Sequence, residues 1–292
     1  MHLLNADLHT HSNASDGSLS PTQLVERAHA QGVQLLALTD HDSVAGVAQA
    51  RRAARELGLA FLGGTEISVS FADACVHIVG LGVDEGHAEL VAALAATRDG
   101  RLQRAREMAQ SLARAGIAGT LEGALAYVDE PSTVSRTHFA RHLVARGVCA
   151  DVGEVFRRYL VEGKPGYVPH RWARLGDALR WIRDAGGIAV VAHPARYRFP
   201  PTLEYALFSE FRAHGGGAVE VVVGAHSEAE RRHYAGIATE FGLAASRGSD
   251  FHAPGESRVE LGALPDLPGT LTPVWTLLSA RIEGRVASTM PD

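Results

Sequence analysis

The sequence predicts an α/β barrel interrupted by a helical insertion, and three observations carry that expectation. Short β-rich apolar runs alternate with helical segments over most of the 292 residues, the pattern of successive βα units in a parallel sheet. Metal-ligating residue types recur just past the apolar runs, at the edge where barrels and open α/β sheets build their sites. Between about residues 97 and 166 the rhythm breaks into consecutive helical patterns without convincing strands. The expected organisation is a first barrel part over 1–96, an inserted helical lid over 97–166, a second barrel part over 167–286 and a loose tail over 287–292.

Residues 3–6 read as the first strand. Ser20, Pro21 and Gln23 then supply an N-cap, a proline at the first helical position and a capping-box glutamine. That helix should stop near Gly32, where glycine can take the left-handed C-terminal position. A second strand follows over 33–38 and a second helix over 43–57, ended by Gly58. Further strands are expected at 60–62, 76–80, 188–192, 219–223 and 243–246. The insertion should open with a helix over 97–115 that carries Arg98, Arg101 and Arg104 near one face. Its last part, EGKPGYVPH, is a glycine- and proline-punctuated return to the barrel.

Composition bounds the function classes. A hydrophobic fraction of 46%, a charged fraction of 21% and a net charge of -5 describe an ordinary globular chain without the broad basic face of a duplex-DNA binder. Cys75 and Cys149 lack CxxC spacing, which favours a reducing compartment, with Cys75 as plain core. No apolar run reaches membrane-spanning length, and MHLLNADLHTHS has no basic n-region, so a cytoplasmic protein without membrane contact is expected. Nothing marks an obligate protein partner.

The chemistry lies in residues at the ends of the apolar runs. DLHTH places His9 and His11 two apart, on one side of an extended segment, and Asp16 follows in the adjoining loop. TDHD supplies His41, GGTE supplies Glu66, CVHIVG supplies His77, AVVAHP supplies His193, and SRGSDFH supplies Asp250 and His252. A lone histidine is more often core or surface than ligand, but all of these fall on one rim. Six imidazoles and three carboxylates suit manganese, iron or zinc better than magnesium or calcium alone. At about three protein ligands per catalytic ion they suffice for two or three ions. Asp7, Asp40 and Asp42 flank these positions as candidates to orient imidazoles. His138 and His142 share a helix face but lack the glutamate of HExxH, and read as helix surface, with contact to substrate as the alternative.

The ordered set DLHTHSNASDG, TDHD, GGTE, CVHIVGLG, AHP and SDFH resembles the PHP family, named for polymerase and histidinol phosphatase. The resemblance covers residues 1 to about 95 and about 170 to 285. It implies a distorted (β/α)7 barrel and three divalent ions, manganese first with iron or zinc as alternatives, in a centre that hydrolyses phosphoesters. By resemblance, His9, His11, Glu66 and Asp250 serve one ion, Asp16, His41 and His252 a second, and Glu66, His77 and His193 a third. The segments RLQRA, SRTHFARHL and GKPGYVPH resemble the branch acting on nucleoside 3',5'-bisphosphates and, as 5'-to-3' exonucleases, on short RNA. Small phosphorylated nucleotides and short RNA are therefore the expected partners.

Divalent ions lower the pKa of bound water from roughly 15.7 to about 7, so a hydroxide positioned by Asp16, His41, Glu66 and His252 is the expected nucleophile. No GxSxG or cysteine context calls for a covalent intermediate. With one phosphate held by metal, Arg101, Arg104 and Arg136 are candidates for a second phosphate, Arg136 foremost because it adjoins a helix start at Ser135. Histidinol phosphate is the rival substrate, but its cationic amine would want an acidic pocket. A non-catalytic metal- or nucleotide-binding module is the rival class, and the complete ligand set speaks against it.

Overall fold

The structure, a computed structural model, describes residues 4–284. The expected tail at 287–292, and the first residue of the expected opening strand, lie outside the described residues.

In chain order the elements are β1 (Ala6–Asp7), α1 (Pro21–Ala30), β2 (Leu35–Leu38), α2 (Val47–Leu57), β3 (Ala60–Phe71), β4 (Ala74–Leu81), α3 (Ala88–Arg114), α4 (Thr120–Leu125), α5 (Arg136–Ala145) and α6 (Val152–Val155). There follow β5 (Ala173–Arg174), α7 (Leu175–Asp184), β6 (Ile188–Val191), α8 (Pro201–Ala213), β7 (Ala218–Val223), α9 (Glu228–Glu240), β8 (Ala244–Gly248) and α10 (Val274–Leu277). The sheet runs β1-β2-β3-β4-β6-β7-β8, with β5 paired on β3. Its two ends meet where Leu8 N donates to Arg247 O at 3.0 Å and Thr10 bridges Phe251. The result is a nearly closed barrel of seven strands.

Alternation along the pleat sorts the side chains. Ala6 and Leu8, Leu35 and Ala37, Ala60 and Leu62, Val79 and Leu81, and Val190 and Ala192 form the apolar interior, joined by Val274 and Leu278 from the α10 region. The intervening Leu36, Leu38 and Phe61 point outward onto Leu24, Val25 and Ala28 of α1 and Val47, Ala50 and Ala54 of α2. Full burial of each such leucine contributes about 1.5–3 kcal/mol. Helices α7, α8 and α9 cover the remaining outer face through Leu179, Ile182, Phe208, Phe211 and Ile237.

Three expectations need correction. The strand expected at 60–62 continues to Phe71, because Gly63 and Gly64 do not end it. A Cβ at Gly64 would lie 2.8 Å from Gly80 O and 2.9 Å from Thr39 Cγ2, so glycine is there for close packing. Second, β4 pairs antiparallel with both β3 and β6. The two-residue turn Ala72-Asp73, with φ of 45° and 63°, is the hairpin geometry that matches strand twist. Third, the helix expected from 97 begins at Ala88, capped by His87. Leu90 and Leu94 of α3 pack on the barrel, while Met108 and Leu112 join Phe139, Leu143 and Leu160 in a separate helical core. One continuous helix therefore spans both bodies.

Candidate metal centre

The loops that follow the strands are held rigidly before any ligand is considered. Beyond β1, the segment of His9 and His11 turns into the Asp16 loop, fixed by Asp40, whose carboxylate accepts Ser12 N at 2.8 Å, Ser12 Oγ at 2.7 Å and Ser15 Oγ at 2.6 Å. Asp42 accepts from Ser68 N at 2.7 Å, tying the loop after β2 to β3. Asp7 accepts from Ser249 N at 2.8 Å and Gly262 N at 3.0 Å. Among the described residues none of these three aspartates takes a hydrogen bond from an imidazole; they clamp loops instead. Backbone strain is concentrated here, with positive φ at Asp42 (48°), His193 (28°) and Asp250 (58°). Such conformations cost about 1–3 kcal/mol each and aim side chains that ordinary backbone would not. Gly248 allows β8 to close on His9, since a Cβ there would sit 2.3 Å from His9 Cβ.

All nine expected ligand residues converge at this rim, and all but His9 and His11 line one cavity there. Glu66 stands at the centre of β3: its Oε2 lies 3.2 Å from His9 Nε2, 3.3 Å from His11 Nε2 and 3.0 Å from His41 Nδ1. Its Oε1 lies 2.8 Å from His77 Nδ1 and 3.0 Å from His193 Nε2. Asp250 Oδ1 is 3.6 Å from His9 Nε2 and 3.3 Å from His11 Nε2. Asp16 Oδ1 is 3.3 Å from His252 Nε2, 3.9 Å from His41 Nε2 and 4.0 Å from His11 Nδ1. His77 reaches this rim from the middle of β4, within the run read as a strand, and Glu66 from the middle of β3, so Glu66 does not follow a strand end as expected.

The donor set fits divalent cations. His11 Nδ1, His41 Nδ1, Asp16 Oδ1 and Glu66 Oε2 are buried without a hydrogen-bond partner, each a cost of about 1–3 kcal/mol if left so. His9 Nε2 and His11 Nε2 face each other at 3.1 Å. Donor atoms of four overlapping sets lie within 4.8 Å of one another: His11, Asp16, His41 and His252; His9, Glu66 and His193; His9, His11 and Asp250; His41, Glu66 and His77. Burial pushes the Glu66 carboxyl up, but the surrounding imidazoles of His41, His77 and His9 outweigh it and hold it well below the usual range. Asp16 and Asp250 are held down in the same way, by His252 and His41 and by Arg196 and His9. Three ionised carboxylates out of reach of water demand concentrated positive charge.

Three contributors escaped the sequence reading. Glu220 of β7 accepts His9 Nδ1 at 2.7 Å and His193 N at 2.6 Å, which fixes the His9 ring with Nε2 toward the cavity. Its signal was present: it is the single charge within AVEVVV. Tyr197 OH accepts His77 N at 2.8 Å and donates to Ala192 O at 2.8 Å. Arg196 sets a guanidinium nitrogen 2.5 Å from Asp250 Oδ2. His138 is buried, and its Nδ1 accepts Ser135 N at 3.0 Å in a capping box, so it is not helix surface. Cys75, expected as core, lines the cavity instead.

Arg101, Arg104 and Arg136 line the same cavity, whose volume is about 150 Å³, together with Ser135, Thr137, Phe156 and Trp172. Arg101 pairs with Asp42 and donates to Ser68 Oγ at 3.1 Å. Its guanidinium carbon stands 4.8 Å from the Trp172 ring centre, and that of Arg104 stands 5.4 Å away. Burial and the neighbouring Arg136 and Arg101 push Arg104 down to about 10. Arg136, in the first turn of α5, lies 5.7 Å from the Phe156 ring centre. A larger groove of about 940 Å³ opens between residues 126–129 and 253–258, and none of the nine ligand residues lines it.

A solvent-poor cradle of oxygen and nitrogen donors beside a cluster of guanidinium groups is built to hold divalent cations against a phosphoryl group, which places the molecule among metal-dependent hydrolases. The chain belongs to the PHP family, whose PHP domain matches residues 7–186, and it is a metal-dependent phosphoesterase. It is 51% identical over 280 residues to the 3',5'-nucleoside bisphosphate phosphatase of Chromobacterium violaceum, covering 96% of this chain and 98% of that protein. It is 43% identical over 269 residues to the 5'-3' exoribonuclease of Haemophilus influenzae, covering 92% of this chain and 97% of that protein. It is similar in structure to an amidohydrolase from Chromobacterium violaceum solved with bound sulfate and no metal, with a TM-score of 0.94, 51% identity and coverage of 97% and 99% of the two chains. No described helix is long and apolar enough to cross a membrane.

Proposed function

We propose that this phosphoric ester hydrolase removes the 3'-phosphate of nucleoside 3',5'-bisphosphates and shortens 5'-phosphorylated RNA oligonucleotides from the 5' end. The observation that carries the reading is the placement of Arg101, Arg104 and Arg136 on the cavity that seven of the nine cradle residues also line. A monophosphate needs only the cradle; a second phosphate gives Arg104 and Arg136 a purpose. The names of the two relatives, a bisphosphate phosphatase and a 5'-3' exoribonuclease, agree with it.

Three divalent ions, manganese in this proposal, would be held by His9, His11, Glu66 and Asp250, by Asp16, His41 and His252, and by Glu66, His77 and His193. When bound they supply Lewis acidity toward the phosphoryl oxygens and acidify water enough for it to attack at neutral pH. Arg136 and the first turn of α5 bind the 5'-phosphate, with Arg104 beside them. Arg101, anchored on Asp42, sets the position of α3 and the electrostatic field of that end. Residues 97–166 act as a lid that keeps water from the reacting phosphate. The reduced thiols of Cys75 and Cys149 suit the cytoplasm as the setting.

The test is phosphate release from a panel of mono- and bisphosphorylated nucleotides, histidinol phosphate and short 5'-phosphorylated RNA. Two or three charge-assisted contacts at about 1.5–3 kcal/mol each should favour 3',5'-bisphosphates over 3'-monophosphates by roughly 10³ in kcat/KM. Arg136→Ala should remove most of that preference while sparing hydrolysis of monophosphates. Equal rates on both substrate classes by the unaltered protein would refute the reading.

A further inference from the structure

The N-terminus of α5 does not merely overhang the metal cradle; it touches one of its ligands. Ser135 Oγ donates to Asp16 Oδ2 at 3.0 Å and Thr137 Oγ1 donates to the same oxygen at 2.9 Å. Ser135 Oγ also accepts Thr137 N at 3.1 Å, so its hydroxyl hydrogen is directed and Asp16 receives it. Asp16 is thereby split between two bodies. Its Oδ2 is held by the helical segment, while its Oδ1, buried and unpartnered, faces His252, His41 and His11 on the barrel. Arg141 of the same helix donates to Asp16 O at 2.8 Å, fixing the backbone beneath the carboxylate. No other of the nine ligand side chains accepts a hydrogen bond from a side chain of residues 97–166 among the described residues.

We propose that Ser135 and Thr137 are positioning residues that complete one metal site of the three, the one built on Asp16, His41 and His252, so that its affinity depends on the helical segment being seated on the barrel. The physical reason is orientational. A carboxylate whose outer oxygen is pinned by two hydroxyls presents its inner oxygen in a fixed direction, whereas a free carboxylate rotates and must be ordered when the ion binds. The other two ion positions draw on Glu66 and Asp250, which the barrel alone holds. The cation site and the lid therefore share one carboxylate, and filling the site favours the seated lid by the same factor that seating favours the ion.

The inference rests on the assignment of Asp16 as a metal ligand but not on the nucleotide substrate. It is tested by manganese titration of the metal-free full chain, with bound metal counted by mass spectrometry after equilibrium dialysis, so no substrate enters. Thr137→Val should weaken one of three ions by about 10- to 100-fold and leave the other two unchanged, and Thr137→Ser should restore it. In an Asp16→Asn background, Thr137→Val should cause no additional loss of binding, because the partner is already gone. Equal weakening of all ions, or no weakening of any, in Thr137→Val would overturn the proposal. Should Thr137→Val fail to fold, Ser135→Gly, which keeps an acceptable cap residue, must show the same single-ion loss or the proposal fails. If the unaltered protein takes up no manganese, the metal reading itself falls; if it takes up three ions but the variants match it, only this inference falls.

Discussion

At the scale of single residues, two buried groups carry predictions that separate packing from function. Burial pushes His138 down to about 4, with Arg141 and Arg101 adding to the effect against Asp16. Its folded pKa lies below the value of about 6.5 in the unfolded chain, so as pH falls the unfolded state takes the proton first. Its contribution to stability is complete above pH 6.5 and is lost progressively down to about pH 4, by up to roughly 3 kcal/mol. His138→Gln keeps a capping-box residue three positions after Ser135 and has no proton to take up. Urea unfolding at pH 7 and pH 5 should therefore show a smaller pH-dependent loss for the variant than for the parent, and parallel losses would contradict the assignment. Glu220 gives the second prediction. Its two oxygens accept from His9 Nδ1 and His193 N, and an amide can serve only one of them. Glu220→Gln should weaken metal binding about 10- to 100-fold with little change in the fold, read by metal content against a graded chelator. Glu220 was visible as a charge in an apolar strand, but its purpose was not, because its partner His9 lies 211 positions away in sequence.

At the scale of elements, capping and turn chemistry were the most legible features and strand ends the least. Ser20, Pro21 and Gln23 form the capping box that begins α1, and Gly58 ends α2 in the left-handed conformation. These are local effects, decided within four residues. The course of β3 through Gly63 and Gly64 is decided instead by β2 and β4 on either side, and glycine there reports close approach rather than a turn. Gly64→Ala should accordingly cost about 1–3 kcal/mol by overpacking, since the nearest atom to the new methyl is the Gly80 carbonyl oxygen. Gly236 lies in α9, and a methyl group added there would meet nothing within 4 Å, so Gly236→Ala should stabilise by about 0.5–1 kcal/mol. Chemical denaturation of the pair decides it; a neutral Gly64→Ala would contradict the packing account. The antiparallel course of β4 was likewise hidden, because an apolar run of eight residues has no sign of direction until its partners are known.

At the scale of the whole molecule, nine candidate ligand side chains drawn from residues 9 to 252 converge at one rim, and that convergence was legible because most of these residue types recur after successive apolar runs. What the sequence did not show is how the helical segment joins the cradle: Ser135 and Thr137 reach Asp16 across more than a hundred positions, and a serine and a threonine at a helix start look like ordinary caps. Metal should be a large part of the folded stability. Each ion bound at a hundred times its dissociation constant adds about 2.7 kcal/mol, so chelation should lower the unfolding midpoint by far more than the loss of any one surface ion pair, and an unchanged midpoint after full metal removal would contradict the cradle. The most direct measurement is a crystal structure of the manganese-loaded protein with anomalous scattering recorded at the manganese edge. The account predicts three peaks inside the cavity: one among His9, His11, Glu66 and Asp250, one among Asp16, His41 and His252, and one among Glu66, His77 and His193. An empty cavity, or manganese bound only elsewhere on the surface, would contradict it.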